Sequence, residues 1–223
     1  LLTGEGADYT LNTSPEGGAS FTITLEDMED NGNLTGENDN YIIVTYTATL
    51  NEDAVIGLDG NPNKVKLTYS NNPYGDGTGT TPADTVIVFT YQTIINKRNE
   101  KNETLNGATF TLEKEIKGET GNSWEKIEEL TGTDTSVFTF TGLDDGNYRI
   151  TEAAAPDGYN KIDPVYFTIT AAHETVVDAG DVPQLTALTG TESANPETGT
   201  LLGLTFIKDT NNADSLTADI QNF

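Results

Sequence analysis

Apolar residues in this chain come as short alternating runs, cut apart by clusters of Gly, Asn, Asp and Pro. A period of two sends successive side chains to opposite faces of an extended strand, so such runs fold as strands with one covered face. Phe21, Ile23 and Leu25 alternate with Thr22 and Thr24. In 41–50 (YIIVTYTATL), Val44, Tyr46, Ala48 and Leu50 share one face and Thr45, Thr47 and Thr49 the other. Val65, Leu67 and Tyr69 alternate with Lys64, Lys66 and Thr68, which predicts an inward apolar face. Residues 84–95 (DTVIVFTYQTII) form the longest apolar run and read as a strand through a core. Segments 27–40 and 71–83 carry the turn residues and read as loops.

The pattern continues beyond residue 94. GATFTLEK (107–114) reads as a strand, and GETGN (118–122) turns it into a partner carrying Trp124 and Ile127. Further strands are expected at 136–140, 148–152, 164–170, 201–208 and 216–223, with a tight turn at GLDDGN (142–147). The stretch 181–200 reads as a loop insertion. No helix longer than a turn or two is supported. The expected fold is therefore all-β, as two tandem Ig-like β-sandwiches, 1–92 and 93–223, and the opening of the first does not start cleanly.

Composition narrows the function classes. With 36 Asp+Glu against 11 Lys+Arg, the net charge of −25 argues against a nucleic-acid partner, which needs clustered cations. It also raises the possibility of disorder, which the patterned 35% apolar content opposes. The absence of Cys removes disulfides, thiolate metal sites and Cys nucleophiles. A single His leaves little room for histidine ligands or triads. No apolar run is long enough to span a bilayer. No metal or cofactor is expected.

Strand parity singles out three polar residues. Lys97 shares parity with Ile95, Glu152 with Ile150, and Asn222 with Ile220, so each should point inward. Taken singly, a strand-end Lys snorkels and a strand-end Asn enters a turn.

GNYRITEAAAPDGY (146–159) resembles the E-box of Cna B-type domains, found in Gram-positive surface proteins and sortase-assembled pilins. The pattern Tyr-x-Leu/Ile-x-Glu-x-x-Ala-Pro-x-Gly-Tyr is met by Tyr148, Ile150, Glu152, Ala155, Pro156, Gly158 and Tyr159. Ala153 and Ala154 replace the usual Thr-Lys. LNGATFTL (105–112) resembles the family's Leu-x-Gly-Ala-x-Phe-x-Leu strand, with Lys97 eight residues before its Leu, and Asn222 fits the Asn near the end of the last strand.

The resemblance implies an intramolecular isopeptide bond between Lys97 and Asn222, with Glu152 as proton shuttle. Apolar burial favours the neutral forms of an amine and a carboxyl, which suits attack on a polarised amide. Such self-modification occurs once, so no enzyme in the ordinary sense is implied.

The first block carries its own resemblance. YIIVTYTATLNEDAVIGLDGNPNKVKLTYSNNP (41–73) resembles a middle domain of Gram-positive pilus backbone subunits, where the Asn pair after Tyr carries an isopeptide. Parity selects Asn71 as the acceptor. No Lys precedes Lys64, so its partner Lys is expected upstream of Leu1.

Other motifs point to little. NPETG (195–199) differs from the sortase signal Leu-Pro-x-Thr-Gly at its first position, and no apolar tail follows it. Asp27, Glu29, Asp30 and Asn31 offer oxygen ligands for Ca²⁺ but lack EF-hand spacing, so a solvated loop is the expectation. His173 reads as a strand-end surface residue, and GDGTG (75–79) has no helix after it to bind phosphate.

Together these features imply a shaft subunit of a cell-wall-anchored extracellular pilus, linked by sortase to other pilin subunits. The alternative is an adhesin stalk or minor pilin that presents a site to host surface or matrix proteins.

Overall fold

The structure is a computed structural model that describes residues 9–25, 42–57, 59–72, 74–174, 183–209 and 215–223. It is all-β, and no helix occurs among the described residues. Two compact units divide between Thr49 and Leu50.

In the first unit, β1 (Thr10–Asn12) pairs antiparallel with β2 (Thr22–Thr24), placing Leu11 opposite Ile23. The Phe21 and Tyr46 rings meet edge to face at 5.1 Å. Residues 42–50 alternate like a strand, yet they lie in none and are exposed throughout. Alternation specifies two faces but supplies no hydrogen bonds. Those come from a neighbouring strand, and none pairs here among the described residues.

The second unit opens with two antiparallel pairs. Here β3 (Asn61–Val65) pairs with β6 (Asp84–Val88), and β4 (Thr68–Ser70) pairs with β5 (Thr78–Thr80). Val65, Leu67 and Tyr69 are exposed, contrary to the expectation that they face inward. Each pair is a two-stranded ribbon, which cannot bury a face by itself. Asn61 ties the ribbon together. Its side-chain nitrogen donates to the carbonyls of Val55 and Val88, at 2.9 and 3.1 Å, and its oxygen accepts from the Val55 N–H. The long apolar run at 84–95 is broken after β6. At the break, the Thr90 carbonyl accepts from Gly57 and the Thr90 hydroxyl donates to Val55.

The rest of the unit is a β-sandwich. One sheet contains β7 (Tyr91–Arg98), β10 (Val137–Leu143), β14 (Ile207–Lys208) and β15 (Ser215–Gln221), in the order β10-β7-β15-β14. The other contains β8 (Thr109–Gly118), β9 (Gly121–Thr131), β11 (Gly146–Ala154), β12 (Val165–His173) and β13 (Leu185–Ser193), in the order β13-β12-β11-β8-β9. All pairings are antiparallel except that of β7 and β15, which run parallel with Ile220 opposite Lys97.

The core is built from the inward-facing positions of both sheets: Ile95, Phe138, Phe140 and Ile220 meet Phe110, Leu112, Ile150, Phe167 and Ile169. Phe110 and Phe138 pack edge to face at 4.9 Å. Gly142 (φ +71°) allows the bulge that shifts register between Phe140 and Leu143.

The expected strands after residue 94 are found, except that 201–208 forms only β14 and a single bridge from Thr205 to Thr191, because this segment runs irregularly across the sheet edge, and that one further strand appears. Residues 185–193, read as part of a loop, form the edge strand β13 against β12. Its inward contacts come from Leu185 and Leu188 alone, too sparse a pattern to read as alternation.

Candidate functional site

The end of β7 and the end of β15 lie side by side, and β11 crosses beneath them in the opposite sheet. Along β7 every second residue is buried, from Tyr91 through Thr93 and Ile95 to Lys97. On β11 the inward parity runs Tyr148, Ile150, Glu152. The three polar side chains picked out by parity therefore meet in the core. Lys97, Glu152 and Asn222 are 0%, 2% and 1% exposed.

Their contacts are specific. The Lys97 ammonium donates to Asn222 Oδ1 and lies 3.4 Å from Glu152 Oε1. Asn222 Nδ2 donates to Glu152 Oε1 and Oε2, each at 3.1 Å, and to the Asn160 carbonyl at 2.9 Å. Glu152 Oε2 also accepts the Ile162 N–H at 2.9 Å. The Phe110 ring lies 5.7 Å from Lys97 Nζ and closes the site from below. Burial pulls the Lys97 pKa below the usual lysine value, and the neighbouring Glu152 carboxylate opposes that shift. An amine held this way is readily deprotonated, and an amine nitrogen beside a carboxamide can form an amide bond with loss of ammonia.

The backbone around the trio is pinned. Lys97 N–H donates to Ser136 O at 2.7 Å, Lys97 O accepts from Leu105, and Asn222 N–H donates to Arg98 O at 3.1 Å. The remaining E-box residues hold the frame. Tyr148 is buried, with its hydroxyl donating to Asp144 Oδ1 at 2.8 Å. Burial, Asp144 and its charge push the Tyr148 phenol well above the ordinary tyrosine range. Pro156 lies against Gly107, where a Cβ would make ordinary contact at 3.6 Å, so it is the φ of +97° that calls for glycine. The sequence reading did not find the Asn160 carbonyl or the Ile162 N–H. Both are backbone groups, so no side-chain pattern marks them.

The other singled-out residues fall elsewhere. Asn71 is exposed in the loop that joins β4 to β5, where its N–H donates to Gly77 O at 3.0 Å. NPETG forms a closed turn: Gly199 N–H donates to Asn195 O, and Asn195 Oδ1 accepts from Glu197 N–H. His173 ends β12 as expected but is half-buried, stacked on Phe89 and hydrogen-bonded to the Tyr91 hydroxyl at 2.9 Å. Asp27, Glu29, Asp30 and Asn31 lie outside the described residues. No group of three or more potential metal-ligating side chains occurs among the described residues.

Residues 92–183 match the family model described as the SpaA prealbumin-like fold domain. This segment is similar to that domain. It contains Lys97 and Glu152, while Asn222 lies beyond the matched span. The chain is also 33% identical over 132 residues to the trypsin-resistant surface T6 protein of Streptococcus pyogenes serotype M6. That match covers 52% of this chain and 23% of the relative, so the chain spans about a quarter of that protein's length.

Two solved structures are also similar. The T6 backbone pilin of serotype M6 Streptococcus pyogenes gives a TM-score of 0.47 at 20% identity, covering 78% of this chain and 45% of that one. The full-length major pilin SpaD from Corynebacterium diphtheriae gives 0.41 at 16% identity, covering 72% and 36%. Within this sandwich the buried trio sits on β7, on β11 and just beyond β15.

Proposed function

We propose that this chain is part of the backbone subunit of a Gram-positive surface pilus, and that its SpaA-type sandwich locks itself with a bond between Lys97 Nζ and Asn222 Cγ. The observation that carries the reading is the buried contact of amine, carboxyl and carboxamide, the first two of them within the segment that matches the SpaA prealbumin-like fold domain. Glu152 takes a proton from the Lys97 ammonium, and the freed lone pair attacks Asn222 Cγ. The tetrahedral carbon collapses as Nδ2 takes that proton from Glu152 and leaves as ammonia, and Nζ gives its second proton to the Glu152 carboxylate. One amine and one primary amide become one secondary amide plus ammonia, with no outside reagent.

The reaction occurs once per chain and serves the structure. The partners are other pilin subunits, joined covalently by sortase outside the cell wall. In this reading 93–223 is the self-locking domain and 1–92 belongs to a preceding pilin domain with Asn71 as a second acceptor.

Intact mass spectrometry of the folded chain tests the proposal. The expected deficit is one ammonia, restored to full mass by Glu152→Ala. A folded wild type of full mass overturns it. A protein extended upstream should lose a second ammonia if Asn71 reacts.

A further inference from the structure

We infer that the backbone of the segment after the E-box positions this reaction: the Asn160 carbonyl fixes the orientation of the Asn222 amide, and the Ile162 N–H decides which Glu152 oxygen carries the proton. The inference rests on the cross-linking proposed above and adds two groups to it.

A carboxamide has one acceptor oxygen and two N–H donors. Around Asn222, Nδ2 faces three acceptors: Asn160 O at 2.9 Å and both Glu152 oxygens at 3.1 Å. Oδ1 faces the Lys97 ammonium, a donor. Turning the amide over would set Oδ1 against the Asn160 carbonyl and the carboxylate, and Nδ2 against the ammonium. Every contact would then be mismatched in a site closed to water, where unpaired polar groups are costly. Glu152 alone does not exclude that arrangement, because a protonated carboxyl can donate to Oδ1. A backbone carbonyl can never donate, so Asn160 O is the group that excludes it.

The Ile162 N–H acts on the other partner. It donates to Glu152 Oε2 at 2.9 Å, so a proton on the carboxyl belongs on Oε1. Oε1 is 3.4 Å from Lys97 Nζ and 3.1 Å from Asn222 Nδ2. One oxygen thus accepts the proton that Nζ gives up and returns it to Nδ2 as the C–N bond breaks.

The departing ammonia is left against the Asn160 carbonyl. That residue also lines a groove of about 720 Å³ whose walls include Ile162, Leu204, Ile220 and Phe223.

Backbone esters test the assignment without changing a side chain. An α-hydroxy acid at 162 deletes the Ile162 N–H, and one at 161 makes the Asn160 carbonyl an ester carbonyl, a weaker acceptor. The full chain, made by cell-free synthesis, is held in denaturant and folded by dilution while ammonia loss is followed by mass. Each ester should slow the reaction roughly tenfold or more, the size expected for a hydrogen bond to a charged or reacting group.

In an unreactive Lys97→Met background, the ester at 161 should move one of the two Asn222 side-chain amide proton resonances and leave the fold's other resonances in place. A merely structural role would not move that signal. Unchanged rates in both esters, or slowing without the Asn222 shift, overturn the inference while the wild type still loses ammonia. A wild type that keeps its full mass fails the cross-linking reading instead.

Discussion

Replacing Lys97 by Met should remove the proposed cross-link while keeping most of the packing. The unbranched side chain reaches the same space beside Phe110, and Glu152, though it loses its cation, keeps the Ile162 N–H and Asn222 Nδ2 as donors and can take up a proton. The proposed bond would join residues 125 positions apart. In the chain-entropy treatment used for disulfides, a loop of that size restricts the unfolded chain by roughly 5 kcal/mol. Unfolding entropy is about 2.1 cal/mol/K per residue near the melting temperature, so a domain of about 130 residues should melt some 15–20 °C lower without the bond. Calorimetry at matched pH, with mass measured on the same samples, reads this directly. Glu152→Ala should fall at least as far, because it leaves the Lys97 charge in the core as well as blocking the reaction. A Lys97→Met protein that melts within about 3 °C of a wild type lacking one ammonia would refute the reasoning that the bond limits the unfolded chain.

Phe110→Ala should cost about 3–5 kcal/mol in denaturant unfolding, as a large buried ring is lost, and should slow ammonia loss as water reaches the amine. Gly190→Ala should cost about 1–3 kcal/mol by the same assay, since its Cβ would come within 2.6 Å of Phe206 Cγ. Asp144 is held below its ordinary 3.8: burial opposes this, but the Lys114 ammonium and the Tyr148 hydroxyl outweigh it. A carboxylate with a depressed folded pKa stabilises above its unfolded value and loses that contribution as pH falls through the folded one. Asp144→Asn should therefore flatten the loss of stability below about pH 3.8, with little change in slope above pH 5, in melts run from pH 2 to 7. An unchanged acid limb would count against that assignment.

The sandwich was readable because its strands alternate over long spans, and the same parity that marks Ile95, Ile150 and Ile220 as core residues carries Lys97, Glu152 and Asn222 inward. The trio was legible for a second reason: a buried charged residue departs from its strand's pattern and stands out. Asn160 and Ile162 did not, because their main-chain groups have no sequence signature. At residues 42–50 and 64–70 the alternation is just as clean, yet the apolar side chains are exposed. Pattern records which face a strand offers, while burial depends on what is placed against it. β13 escaped notice for the opposite reason, as an edge strand held by pairing with β12 more than by its own side chains.

The parallel pairing of β7 and β15 has a mechanical consequence. Two parallel strands send their leading and trailing ends in opposite directions, so the chain enters β7 at Tyr91 at one end of the sandwich and leaves β15 at the other. With Lys97 bonded to Asn222, tension along the chain would run down the seven residues from Tyr91 to Lys97 and straight across into Asn222. Everything from Arg98 to Gln221 would hang beside that path as a slack loop, folded but unloaded. The hairpins and loops of the sandwich could then lengthen, shorten or change sequence without weakening the tether.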